Sequence, residues 1–189
     1  MTRIAADLGD STVAAFGVGT RIAALAMIGS MSLSSVLIPF IGQNFGARKF
    51  GRIEDASLFS LRFALVWGFT AWIILALFSG LIARAFTDDP EVQGFIKQFF
   101  WIVPFGFAFH GLSELVSASC NALNRPFHST TINIMRLFLL LIPLVYLGSQ
   151  IWSTTGFFVG IALGNLATGG IAWFWFRVSI LPIALGNKM

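Results

Sequence analysis

Charge is what this sequence has least of. Only 11% of its 189 residues are Asp, Glu, Lys or Arg, 57% are hydrophobic, and the mean hydropathy is +0.84. A soluble domain carries about 25% charged residues, so this chain cannot cover a surface with groups that water solvates, and a water-soluble enzyme is all but excluded. Histidine and cysteine are scarce too: two His and one Cys are too few for the usual zinc ligand sets. Cys120, alone in an apolar run, forms no internal disulfide and reads as a small packing residue. No nucleophile elbow, phosphate-binding glycine loop or zinc spacing is present; the 19 glycines lie inside apolar stretches instead. The opening MTRIAADLGD lacks the basic start, short apolar core and small-residue exit of a cleavable signal peptide. Net charge is +4 and the pI is near 10.0, yet the 12 basic residues are scattered without a stripe, so no nucleic-acid partner is expected.

Long apolar runs are what the chain has in quantity. Residues 22–42 and 63–83 are each free of charge, and basic residues flank both runs: Arg48, Lys49 and Arg52 after the first, Arg62 and Arg84 around the second. The stretch 95–123 is apolar enough to cross a bilayer but carries Lys97, His110 and Glu114. Pro104 should kink it, because proline removes a backbone donor. The uncharged stretch 137–176 is 40 residues, too long for one crossing of a core about 30 Å thick. Gly148-Ser149-Gln150 and Ser153-Thr154-Thr155-Gly156 supply the turn that divides it. Continuous runs favour helices over barrel strands, which alternate apolar and polar residues. The expected fold is an all-α polytopic membrane bundle: one membrane domain over 1–189 with about five transmembrane helices, near 13–42, 58–83, 95–123, 130–147 and 156–176.

Orientation follows from the basic residues, which concentrate in cytoplasmic loops. With alternating crossings, one side holds Arg48, Lys49, Arg52, Arg125, Arg177 and Lys188, while the other holds Arg3, Arg84 and Lys97. Arg62 and Arg136 can snorkel to the more basic side. The loop with Asp88-Asp89-Pro90-Glu91 is then external and the C-terminus cytoplasmic, in a multi-pass protein of the cell (inner) membrane. Trp101 and Trp152 near one face, and Trp173 and Trp175 near the other, suit interfacial anchors. An odd number of spans with an exported start points to a missing upstream part, supplied by a longer polypeptide or by a partner chain.

Small residues at four-residue spacing, Gly156, Gly160 and Gly164 in the last span and Ala15, Gly19 and Ala23 at the start of the first, suit either close helix packing or faces that slide. The third span carries more chemistry. His110, Glu114, Ser117 and Asn121 fall at i, i+4, i+7 and i+11 and so line one helical face. A carboxylate at membrane depth costs about 2.5 to 3.5 kcal/mol on the gentler insertion scale, so Glu114 must face protein or a water-filled cavity. There it can trade a proton for a cation. Two structural alternatives stand beside this: Glu114 paired with Arg136, and His110 as an ordinary packed histidine.

Pro39 precedes Gly42-Gln43-Asn44-Phe45-Gly46-Ala47-Arg48-Lys49, where a proline loosens the helix, glycines end it and basic residues meet the anionic leaflet. This stretch, PFIGQNFGARKFGR over 39–52, resembles the loop after the second helix of a half in the multidrug and toxic compound extrusion family. Its core is Pro39, Gly42, Gln43, Asn44, Gly46 and Ala47. The stretch 13–22 is similar to the family's entry into that helix, and 122–126 sits where its fourth helix of the half ends, with Asn124-Arg125-Pro126 in place of the commoner glycine-bearing turn.

The resemblance implies the last five helices of the second lobe of a twelve-helix antiporter, with the preceding helix and the N-terminal lobe lying outside this sequence. It implies export of small amphipathic or cationic drugs in exchange for sodium ions or protons, by rocking of two lobes, with membrane lipid as surroundings and no other cofactor. Glu114 lies one position, in an ungapped register, from an acidic residue that some members place in a cation site. The same resemblance gives the apolar and aromatic walls, Phe105 and Phe109 among them, the role of holding the drug's body. Three other readings remain open: a related lipid-linked oligosaccharide flippase, a membrane-embedded enzyme using His110 and Glu114, and a non-transporting assembly subunit.

Overall fold

The computed structural model describes residues 1–180 and 182. Lys188, counted above among the basic residues of one side, lies outside the described residues. All regular structure within them is helical. A short α1 (Thr2–Asp7) turns at Gly9, whose φ is 113°, into α2 (Asp10–Gly46), followed by α3 (Phe50–Phe86). Then come α4 (Pro90–Ile102), a 3-10 turn (Val103–Gly106), α5 (Phe107–Ala122), α6 (Pro126–Ile134), a π-helical turn (Met135–Leu141), α7 (Ile142–Trp175) and a second π-turn (Phe176–Ile180).

The helices outrun the apolar stretches that announced them. α2 and α3 have 37 residues each, about 55 Å at 1.5 Å per residue, so their charged ends project past the hydrocarbon core. Sequence chemistry sets several of these ends. Asp89 caps α4 by accepting from Glu91 N–H at 2.8 Å, and Pro90 takes the first helical position, where its missing N–H costs nothing. Gly46 is the last helical residue of α2, but the left-handed residue beyond it is Arg48, with φ of 56°, not a glycine. Lys49 N–H then donates to Asn44 O at 2.9 Å. α5 ends in the same way, with Asn124 at φ 56° and Arg125 N–H donating to Cys120 O at 2.9 Å. A basic residue beside the carbonyl end of each helix also suits the helix dipole.

Among the described residues, four helical runs are long and apolar enough to cross a membrane. The fourth, Pro126–Val178, doubles back on itself. Trp152 (φ −130°, ψ 26°) and Ser153 (φ 48°, ψ −130°) leave helical geometry, and the two arms of α7 pack antiparallel. Gly156 lies against Gly148, Gly160 against Leu144 and Val145, and Gly164 against Leu141. A Cβ on Gly160 would sit 2.6 Å from Val145 Cα, so only glycine lets the arms approach this far. The last run is thus a hairpin of two helical arms, and the glycine repeat packs that hairpin rather than a sliding surface.

The third crossing, α4 through α5, is the axis of the bundle. Of its most apolar window 67% is buried, against 22% in α2 and α3. Pro104 lies in the 3-10 turn that joins its two halves, and Trp72 Nε1 on α3 donates to Trp101 O at 2.9 Å where the backbone pattern changes. Two apolar clusters fill the core. One gathers Phe99, Phe100, Val103, Phe107, Phe157 and Phe158; the other gathers Ile41, Ile53, Leu115, Val116, Cys120 and Ile132. Cys120 is fully buried and free. His110 and Gly111 fall between the stretches of α5 that serve each cluster.

Candidate functional site

Two cavities flank the face of α5 that carries the ionisable residues. The first lies between α2, α5 and α6, with a volume of about 260 Å³. α5 gives it Glu114, Ser117 and Asn121, α2 gives Ser34 and Ser35, and α6 gives Ser129 and Asn133. Glu114 is half-buried, Ser117 buried and Asn121 exposed, so the line runs from the core toward the α5–α6 loop. Ser34 Oγ donates to Ser30 O at 3.0 Å, Ser35 Oγ to Met31 O at 3.0 Å, and Asn133 Nδ2 to Ser129 O at 3.0 Å. Each donor is thus satisfied on its own helix. Oxygen lone pairs remain for the cavity, and a hard cation takes oxygen ligands.

The second cavity, of about 200 Å³, lies on the other side of His110, lined by His110, Arg136, Asn165 and Thr20 and by the rings of Phe16, Phe99 and Phe107. The one-face pattern predicted for His110, Glu114, Ser117 and Asn121 is therefore divided: His110 faces a different cavity from the other three. The i,i+4 hydrogen bond available between His110 and Glu114 is not formed on the inner ring nitrogen, because His110 Nδ1 is buried without a partner. Arg136 is near enough to feel the Glu114 charge but makes no ion pair with it among the described residues. Glu114 and Arg136 line neighbouring cavities instead of sharing one. Also among the described residues, no three His, Cys, Asp or Glu side chains gather as a metal site.

Phe105 and Phe109 do not line either cavity. They pack on α3, Phe105 against Phe69 and Trp72 with ring centroids 5.8 and 5.2 Å apart, and Phe109 against Phe69 at 6.2 Å. The aromatic wall beside His110 comes from Phe16, Phe99 and Phe107, which no motif singled out. Of the loop motif, Pro39 is exposed inside α2, Asn44 is buried with Nδ2 donating to Phe40 O at 2.8 Å, and Gly42 is half-buried. Gln43, Gly46 and Ala47 are exposed at the helix exit. The motif shapes a helix end, and none of its residues lines the Glu114 cavity.

A family model described as MatE matches residues 1–147. The chain belongs to the MatE family. This is the family that the 39–52 stretch resembles. The chain is 38% identical over 164 residues to a Shewanella oneidensis protein named "FAD transporter", an alignment covering 87% of this chain and 36% of that one. It is 22% identical over 142 residues to the Bacillus subtilis "Probable multidrug resistance protein YoeA", covering 75% of this chain and 31% of that protein. Among solved structures, the Vibrio cholerae MATE transporter VcmN in the bent form superposes with a TM-score of 0.91 at 26% identity, over 98% of this chain and 41% of VcmN. The chain thus spans about a third of the length of these curated relatives. MatE proteins are transporters, not enzymes, which sets aside the acid/base enzyme reading of His110 and Glu114. With its membrane-crossing helices, this MatE chain is a multi-pass membrane protein.

Proposed function

We propose that this chain forms part of an alternating-access exporter of amphipathic, ring-bearing organic solutes, and that the Glu114 cavity is its cation switch. The observation that carries the reading is that cavity itself. A carboxylate, serine oxygens and two asparagine amides line one cavity among helices built to lie in lipid. At membrane depth such groups are expensive unless they serve a pathway. A sodium ion would take oxygens from Glu114, Ser117 and Ser34, while a proton would simply neutralise Glu114. Either removes a negative charge from between α2 and α5, which shifts the balance between two lobe arrangements. The facing lobe comes from the rest of the polypeptide or from a partner chain.

In this reading the loops bearing Arg48, Lys49, Arg52 and Arg125 face the cytoplasm, and the protein sits in the inner membrane. The cargo admits a second reading, a flavin dinucleotide, favoured by the 38% identity to the Shewanella relative named for FAD. The test uses everted membrane vesicles, whose outer face is the cytoplasmic one, with either a cationic dye or a flavin added to the medium and its uptake followed. Glu114→Gln should cut transport driven by a sodium or pH gradient at least about tenfold while protein abundance stays unchanged. Full gradient-driven transport in that variant would remove Glu114 from the coupling step.

A further inference from the structure

The cavity beside His110 has a different chemistry from the one around Glu114, and the coupling step leaves it unexplained. Its charged lining residue is Arg136, and no Asp or Glu lines it. Arg136 stands in the seven-residue π-turn Met135–Leu141, a wider helical geometry that recurs at functional sites. Among the described residues its guanidinium has no hydrogen-bonded or ion-paired partner. A half-buried guanidinium facing an otherwise largely apolar cavity is stabilised by a partner, and its planar fork matches the oxygens of a phosphate or carboxylate.

Two more polar groups converge on the same space. His110 lines the cavity beside Arg136, and its imidazole offers a ring N–H to an oxygen acceptor there. Asn165 reaches it from the second arm of α7, directly beneath Gly106, where a Cβ would lie 3.0 Å from Asn165 Cβ and 3.3 Å from its Nδ2. The remaining wall is aromatic. Phe16 meets Phe99 and Phe157 edge to face, with centroids 6.4 and 5.3 Å apart, which holds its ring in place. At about 200 Å³ the cavity admits an oxyanion and the edge of one ring system, and the rest of a drug-sized molecule stays outside it.

We propose that the Arg136, His110 and Asn165 cavity is a subsite for the phosphate or carboxylate group of a soluble aromatic solute, whose ring packs on Phe16, Phe99 and Phe107. This rests on the export reading above and adds to it a place for negative charge, separate from the cation switch. Such a cavity selects anionic ring compounds from neutral ones by the single guanidinium contact.

The probes are FMN and riboflavin, which share one ring system and differ by a phosphate. Binding is read from flavin fluorescence on the protein reconstituted from its membrane into phosphatidylcholine nanodiscs. FMN should bind at least about tenfold more tightly than riboflavin, the scale of one charge-assisted hydrogen bond. Arg136→Gln should erase that difference without changing riboflavin affinity, which also shows the variant is folded. Arg136→Lys should keep part of it. Equal affinities for the two flavins in the unaltered protein, or a difference that survives Arg136→Gln, overturns the proposal. Loss of the FMN preference in phosphatidylglycerol nanodiscs also overturns it, since a lipid phosphate then fills the site. Gradient-driven export of a cationic dye separates the two readings: export that persists while the flavin difference is missing rejects the subsite alone, and absent export rejects the transport reading.

Discussion

Gly68 shows how little room separates the central crossing from its neighbours. A Cβ at this position on α3 would lie 2.8 Å from Ala108 Cβ and would also press on the Ala108 backbone, which cannot rotate away. Gly68→Val should therefore destabilise the protein by about 1 to 3 kcal/mol, the usual range for overpacking. Gly17, in the interior of α2 with nothing within 4 Å, is the matched control: Gly17→Ala should be neutral or slightly stabilising. Tryptophan-fluorescence melting in one detergent compares them, and equal melting temperatures would show that α3 and α5 are not in the close contact described. The same scale explains why Glu114 and Arg136 have distinct fates despite their proximity. Each faces a separate space, so the pairing that charge alone suggested is replaced by two one-sided cavities.

At the scale of elements, much was legible in advance. Hydropathy located four apolar stretches, Pro104 marked the break in the third, and the small polar residues of 148–156 marked the reversal in the last. What could not be read was the neighbourhood of each face. Helical periodicity puts His110 and Glu114 on one stripe of α5, but the cavity each enters is made by α2, α6 and α7, whose placement the spacing does not contain. The sequence MRLFLLL of the π-turn has the apolar look of any buried helix, so nothing announced that Arg136 would be carried to the His110 side. Phe105 and Phe109 likewise belong to the stripe that meets Phe69, a fact set by how α3 docks.

One contact between distant elements can be tested directly. Thr12 on α2 and Thr154 just past the reversal share a buried hydroxyl hydrogen bond of 2.8 Å, beside the Gln98 to Thr155 bond of 2.6 Å. Thr154→Val leaves the Thr12 hydroxyl buried without a partner and should cost about 1 to 3 kcal/mol. Thr12→Val together with Thr154→Val should recover most of that loss, because two apolar groups of the same shape then meet. Additive losses in the double variant, again by melting, would show that the hydroxyl pair does not join these elements.

Over the whole molecule, the long α2 and α3 flank the central crossing, which carries both cavities on its α2 side. Exchange between inward and outward access requires that the Glu114 cavity open to one aqueous side at a time and that its occupant decide which. Cys120, the protein's single cysteine, is fully buried two residues beyond Ala118, which lines the Glu114 cavity without giving it an oxygen, so a Cys120→Ala background leaves Ala118→Cys as a unique reporter in the cavity wall. The decisive measurement is the rate at which a membrane-impermeant maleimide labels Ala118→Cys from each face of sealed vesicles, at low and high sodium and at two pH values. The account predicts that sodium or protons change the rates on the two faces in opposite directions, and that adding Glu114→Gln removes the response. Labelling rates that ignore the cation, or that respond equally without the Glu114 carboxylate, would contradict it.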